Sequence, residues 1–150
     1  MKRVFAIFLL MLTLFLCGCN KTFSWKFKKT SSEVEQISII KIETHLHNAE
    51  EIINIPPIKK IEKLHANEFY EDILNLKMKE SFRMELPFPQ GYCFLIDYGN
   101  YEYCILSTTG SGYIYHDEES KILINEPTDF IFNEEEFLNL LNKYLNADNN

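Results

Sequence analysis

Tyr92-Cys93-Phe94-Leu95-Ile96-Asp97-Tyr98-Gly99-Asn100-Tyr101-Glu102-Tyr103-Cys104-Ile105-Leu106-Ser107 is the stretch that decides the fold. Two runs of aromatic and branched residues flank Gly99-Asn100, the pattern of an antiparallel hairpin around a tight turn. A two-residue turn at Gly99-Asn100 sets Tyr98 against Tyr101, Cys93 against Leu106 and Cys104 against Leu95. Tyr92, Phe94, Ile96 and Tyr98 then share a face with Tyr101, Tyr103 and Ile105. That stripe reads either as a platform for stacking sugars or seating a protein, or as a face buried under helices. Burial is favoured, because aromatic rings dominate cores. The other face, Cys93, Leu95, Cys104 and Leu106, is apolar too, which points to a central place in the sheet. On this turn the two thiols are diagonal neighbours about 7–8 Å apart, at the limit of a disulfide's reach. A pair of buried thiols is the equal alternative, and a three-residue loop would put them on opposite faces.

Working towards the N-terminus, residues 34–44 carry Ile37, Ile39, Ile40 and Ile42 and read as a first strand. A polar turn at His47-Asn48-Ala49-Glu50 leads to 51–55, expected as a short second strand. Pro56-Pro57 then suits the start of a helix. Ile58, Ile61, Leu64, Phe69 and Ile73 predict that helix over 57–74, with a break near His65-Ala66-Asn67. Leu74, Leu76 and Met78 alternate with polar residues and announce a strand running towards 83–86.

Towards the C-terminus, 108–112 is a Gly-rich turn and Tyr113-Ile114-Tyr115 a strand. Residues 117–120 turn into a strand at 121–125, and 129–132 form a last one. Asn133 reads as the N-cap of a helix with Glu136 at its third position, and Phe137, Leu140, Leu141 and Tyr144 mark its apolar face. The fold class expected is α+β: an antiparallel β-meander sheet with one helix after the first strands and a C-terminal helix packed on the sheet. The globular domain is placed at 36–147, with a frayed tail at 148–150.

The beginning of the chain has a different character. Met1-Lys2-Arg3 precedes an apolar run at 4–16 interrupted only by Thr13, the build of a signal-peptide core and too short to span a bilayer. Leu16-Cys17-Gly18-Cys19 follows. This resembles the lipobox of bacterial lipoproteins, which implies cleavage after Gly18, a diacylglyceryl group on Cys19, and export to the cell membrane, or to the outer membrane of a Gram-negative source. Residues 1–18 would be the signal and 19–35 the lipidated cysteine and a tether. Within the tether Phe23, Trp25 and Phe27 alternate with Ser24 and Lys26, ahead of Lys28-Lys29. Beside a lipid they read as a second membrane contact or as a plain linker.

Loss of Lys2 and Arg3 with the signal moves the net charge from −7 to −9, which argues against nucleic acid as a partner. The remaining partners are the bilayer through Cys19 and an envelope protein or glycan. Chemistry-bearing sets are thin. His45 and His47 would point the same way on a strand, and His65 or His116 could add a ligand, which makes a weak metal-binding candidate. Thr108-Thr109-Gly110-Ser111-Gly112 lacks the ending of a phosphate loop and the spacing of a nucleophile elbow. It reads as a mobile turn whose Ser111 joins the candidate binding surface with Tyr92, Phe94, Tyr98, Tyr101 and Tyr103. Ser111 with His116 and Asp117 is the cluster on which an alternative reading, a small envelope hydrolase, would rest. No cofactor is expected, and a non-enzymatic binding domain is the reading that the residues favour.

Overall fold

The computed structural model describes residues 23–43, 48–80, 89–116, 123–128 and 130–147. The signal segment, Cys19, His45, His47 and Asp117 lie outside these. Eight strands and three α-helices are described: β1 (Gln36–Ile42), α1 (Ala49–Ile53), β2 (Lys59–Ile61), α2 (Ala66–Asn75), β3 (Met78–Glu80), β4 (Gly91–Asp97), β5 (Tyr103–Leu106), β6 (Gly112–His116), β7 (Leu123–Pro127), β8 (Phe130–Phe132) and α3 (Glu134–Leu145). Single 3-10 turns stand at Ser31–Glu33 and Lys63–His65.

Six strands form one antiparallel sheet in the order β2-β1-β4-β5-β6-β7, and β3 pairs β8 in a separate ribbon. The protein is thus α+β, with a β4–β7 meander and the C-terminal helix on the sheet. β1 and β4 are buried on both sides, and the β4–β5 hairpin takes the central place in the sheet that its two apolar faces implied. On one face α2 and α3 press Phe69, Ile73, Phe137 and Tyr144 onto Ile37, Ile39, Phe94 and Ile96. Phe94 is the hub, with ring centroids of Phe69, Phe137 and Tyr144 at 4.9, 5.4 and 6.1 Å, all edge-on. Such pairs add to plain burial because a ring's positive edge meets a negative face. On the other face Ile40, Ile42, Cys93, Leu95, Ile105 and Ile114 pack beneath Ala49 and Ile52 of α1.

The C-terminal helix begins where its cap predicted. Asn133 Oδ1 accepts from Glu136 N at 3.1 Å. The Glu136 carboxylate, however, reaches out to Lys77 N at 2.8 Å instead of back to its own cap. Helix α3 is thereby tied to the entry of β3.

Three local expectations are corrected. Residues 51–55 are not a strand: Ala49–Ile53 is a short helix, capped by Asn48 accepting from Glu51 N at 2.9 Å. Branched residues favour strands, but here Ala49 and Ile52, three apart, are the buried positions. The helix expected over 57–74 is split. Only Ile61 of its first half is buried, while Ile58 and Leu64 are 52% and 72% exposed. Lys59–Ile61 instead adds an outer strand to β1, and Gln36 secures it by donating to Ile61 O at 3.0 Å. Helix α2 keeps the second half, burying Ala66, Phe69, Tyr70 and Ile73.

The third correction concerns the domain boundary. Residues 23–34, read as part of a tether, are built into the core. Phe23 exchanges backbone hydrogen bonds with Met78 at 3.0 and 3.3 Å. Trp25 and Val34 are buried, and Phe27 stacks on Tyr70. Trp25 is therefore not available as a membrane contact. Among the described residues, no helix is long and apolar enough to cross a membrane.

Candidate functional site

The hairpin at the centre of the sheet was the first place expected to carry a binding surface. Its loop holds three residues, not two: Phe94 faces Leu106, Ile96 faces Cys104 and Asp97 faces Tyr103. Tyr98 N donates to Glu102 O at 2.9 Å and Glu102 N to Gly99 O at 3.0 Å. Asn100 and Tyr101 sit at φ +51° and +61°, the sign a type I′ turn requires, and Gly99 at +77° supplies the extra residue. Glycine is favoured there because L residues rarely adopt that φ, and a Cβ would also make the exposed tip of Glu35, with Oε1 2.5 Å away, turn aside. That one residue moves every side chain of β5 to the opposite face.

The consequences for the site residues are direct. Phe94 and Tyr98 are buried under the helices, Tyr103 faces the α1 side, and Tyr92 and Tyr101 stand exposed at the two ends. The continuous aromatic platform is thereby corrected to separate residues in separate environments. Cys93 and Cys104 are unbonded and fully buried on opposite faces, so the register excludes a bond between them. Burial pushes the Cys93 thiol up to about 12, a Ser107 hydrogen bond pulling slightly the other way. Burial likewise raises Cys104 and Tyr98, and takes Tyr70 to about 12. The Tyr70 and Tyr98 hydroxyls meet at 2.8 Å inside the core.

Tyr101 at positive φ, 61% exposed, is a strained choice for this turn. Left-handed backbone costs a non-glycine residue about 1–2 kcal/mol. Glycine gives part of that back through its freer unfolded chain. Tyr101→Gly is expected to stabilise the domain by roughly 0.5–1 kcal/mol, read as a higher urea midpoint. A lower midpoint would mean that its ring contact with His116, 5.8 Å between centroids, matters more.

The Gly-rich turn is a closed structural unit. Ser107 Oγ accepts from Thr109 N and Gly110 N, and Thr109 Oγ1 holds Gln90. Ser111 Oγ accepts from Ser107 N at 3.1 Å and donates to Ser107 O at 3.2 Å, with the residue 2% exposed. Ser111 and His116 lie at opposite ends of β6, about 16 Å apart at strand rise. The structure does not bring these two together.

Among the described residues, two clefts that the sequence did not anticipate stand out. One, of about 320 Å³, lies between β2, the turn after it and the end of α3, and is lined by Lys60, Glu62, His65, Glu68, Lys143 and Tyr144 among others. Lys143 Nζ lies 2.8 Å from Glu68 Oε1 and 2.7 Å from Asp72 Oδ2, and Tyr144 OH donates to that same Asp72 oxygen at 2.7 Å. These hydrogen bonds raise Lys143 and lower Glu68. Lys59 Nζ donates to Leu145 O at 3.1 Å, closing the end of α3. The second cleft, about 190 Å³, lies on the α1 face between Ser38, Ile53, Ile55, Lys60, Asp97 and Tyr103. Neither described lining combines a serine or cysteine with a histidine; the first holds His65 and the Tyr144 phenol, whose hydroxyl is committed to Asp72. Both mix apolar walls with charge, a surface suited to holding a ligand. No signal in the sequence exposed the first cleft, because Lys60 and Lys143 become neighbours of it only through β2's pairing to β1.

Among the described residues no group of three or more His, Cys, Asp or Glu is placed to hold a metal ion. The chain matches no protein-family model, no curated protein and no solved structure.

Proposed function

We propose that this chain is a bacterial lipoprotein, exported and held to its membrane by a lipid on Cys19, with a small domain that binds an envelope protein or glycan. The observation that carries the reading is Leu16-Cys17-Gly18-Cys19 placed directly after a basic start and a short apolar core. A multi-chain lipid holds far more firmly than a single acyl chain, at about 0.8 kcal/mol per buried CH2. The domain would then work at the bilayer surface. Its larger cleft supports a binding role: charged groups of both signs line it, and exposed Ile58 and Leu64 stand on the segments beside it. Exposed apolar side chains near a polar cleft suit recognition of a partner.

Intact mass of the protein extracted from its native membrane, beside a Cys19→Ala variant, tests the anchor. The expected wild type lacks residues 1–18 and carries acyl mass that the variant loses. A cleaved but unlipidated protein would defeat the proposal and leave a freely secreted domain. Crosslinking from a photoreactive group at Lys60, followed by recovery on the membrane, then tests the cleft as the binding surface.

A further inference from the structure

Residues 23–34, ahead of the first strand, are a strap fastened to the domain, and its outer side is basic. Phe23 is hydrogen-bonded to Met78 of β3, and its ring lies 4.7 Å from that of Phe130. Trp25 points inward between Tyr113 and Phe132, each at 5.8 Å. Tyr113 OH then accepts from Lys28 N at 3.1 Å and donates to Lys26 O at 3.0 Å, gripping the strap from below. Lys29 pairs with Glu102 beside the hairpin turn. With Trp25 inward, Lys26 and Lys28 are exposed on the other side, Lys28 Nζ folding over the Tyr113 ring at 4.4 Å. Lys79, exposed on the neighbouring β3, extends the patch. From residue 20 to residue 35 the chain holds four lysines against two acids, Glu33 and Glu35, within a protein whose mature charge is strongly negative.

We infer that this strap is the surface that lies on the bilayer, exposed Lys26 and the neighbouring Lys79 foremost against anionic lipid headgroups. The inference rests on lipidation of Cys19 as proposed above. Cys19 stands four residues before Phe23, and four residues reach at most about 14 Å. A leash so short cannot let the domain swing away; it presents the Phe23–β3 side to the membrane. An acidic domain would be repelled by an anionic leaflet in most orientations, and the basic strap selects the one that is not.

Trp25 is the only tryptophan, so its energy transfer to a headgroup-linked dansyl acceptor reports this distance. Lipidated protein is reconstituted into neutral phosphatidylcholine vesicles and into vesicles containing phosphatidylglycerol. A second form carries about twelve Gly/Ser residues between Lys21 and Thr22, which adds roughly 20 Å of average reach. The wild type is expected to transfer efficiently on both vesicles. The lengthened form is expected to lose more than half the transfer on neutral vesicles and to regain it on anionic ones at low salt. Equal transfer from both forms on neutral vesicles overturns the short leash. A lengthened form indifferent to anionic lipid overturns the basic face. Both failures leave a lipidated mass intact, whereas loss of the anchor shows in the mass itself.

Discussion

Between pH 9 and pH 11 the domain is expected to lose most of its stability, well before an ordinary acidic domain would. The cause is a set of acids kept protonated by burial. Cys93 rises from an ordinary value of 9.0 to about 12, and Cys104 shifts in the same direction for the same reason. Tyr70 rises from 10.0 to about 12, and Tyr98, Tyr113 and Tyr144 move upward as well. In each case the folded protein holds a proton that the unfolded chain releases. The unfolded state therefore binds fewer protons above pH 9, and the free energy of unfolding falls as pH rises. Stability is whole below the unfolded values and is lost as pH climbs towards the folded ones. Each such group withdraws up to about 1.4 kcal/mol per pH unit. By pH 11 Cys93 alone withdraws roughly 3 kcal/mol, a large share of the whole stability of many domains, and Cys104 adds to it in the same direction. Urea melts of the Cys19→Ala protein at pH 8, 10 and 11, followed by circular dichroism, measure this. Midpoints that stay level to pH 11 would show that the thiols and phenols ionise without unfolding. The same burial predicts that neither thiol reacts with maleimide at pH 8 until the protein is denatured.

Replacing Trp25 with alanine is expected to cost about 3–5 kcal/mol, the range for removing a large ring from a core. Its ring contacts Tyr113, Phe132 and Phe27, so its loss opens the space between the strap and the sheet. Trp25→Phe should behave differently. Indole Nε1 is buried and has no hydrogen-bond partner among the described residues. An unpaired buried donor costs about 1–3 kcal/mol, which phenylalanine removes while keeping most of the packing. The phenylalanine protein is therefore expected near wild type in a urea melt, and the alanine protein far below it. If alanine were tolerated to within about 1 kcal/mol, a small change on the scale of domain stability, the strap would not be held by the core. The 23–34 segment would then be a tether after all.

Legibility in the sequence followed the range over which the deciding contacts act. The β4–β5 hairpin, β6 and α3 were readable because their signals are local: alternation, a Gly/Asn turn, a capping asparagine followed by an apolar stripe. The stretch 51–61 misled because its isoleucines fit two periods. A five-residue helix and a three-residue strand are both marginal alone, so their partners chose between them. Of the site, the sequence displayed every residue but not their grouping. Tyr103 and Phe94 part company through a single extra loop residue, and no periodicity within either strand reports that residue. Lys60 and His65, five residues apart, line one cleft with Lys143 from the C-terminal helix far along the chain.

By itself, then, the sequence determined an α+β domain built on a central antiparallel hairpin, a capped C-terminal helix, and the motif on which the proposed anchor rests. Tertiary structure alone decided the faces of that hairpin, the separation of Cys93 from Cys104, the edge strand β2, and the docking of Phe23, Trp25 and Phe27. The physical reason is common to all four. Backbone propensity and periodicity are summed over a few neighbouring residues, whereas register, edges and burial are settled by free energies shared between segments that meet only once the chain has folded.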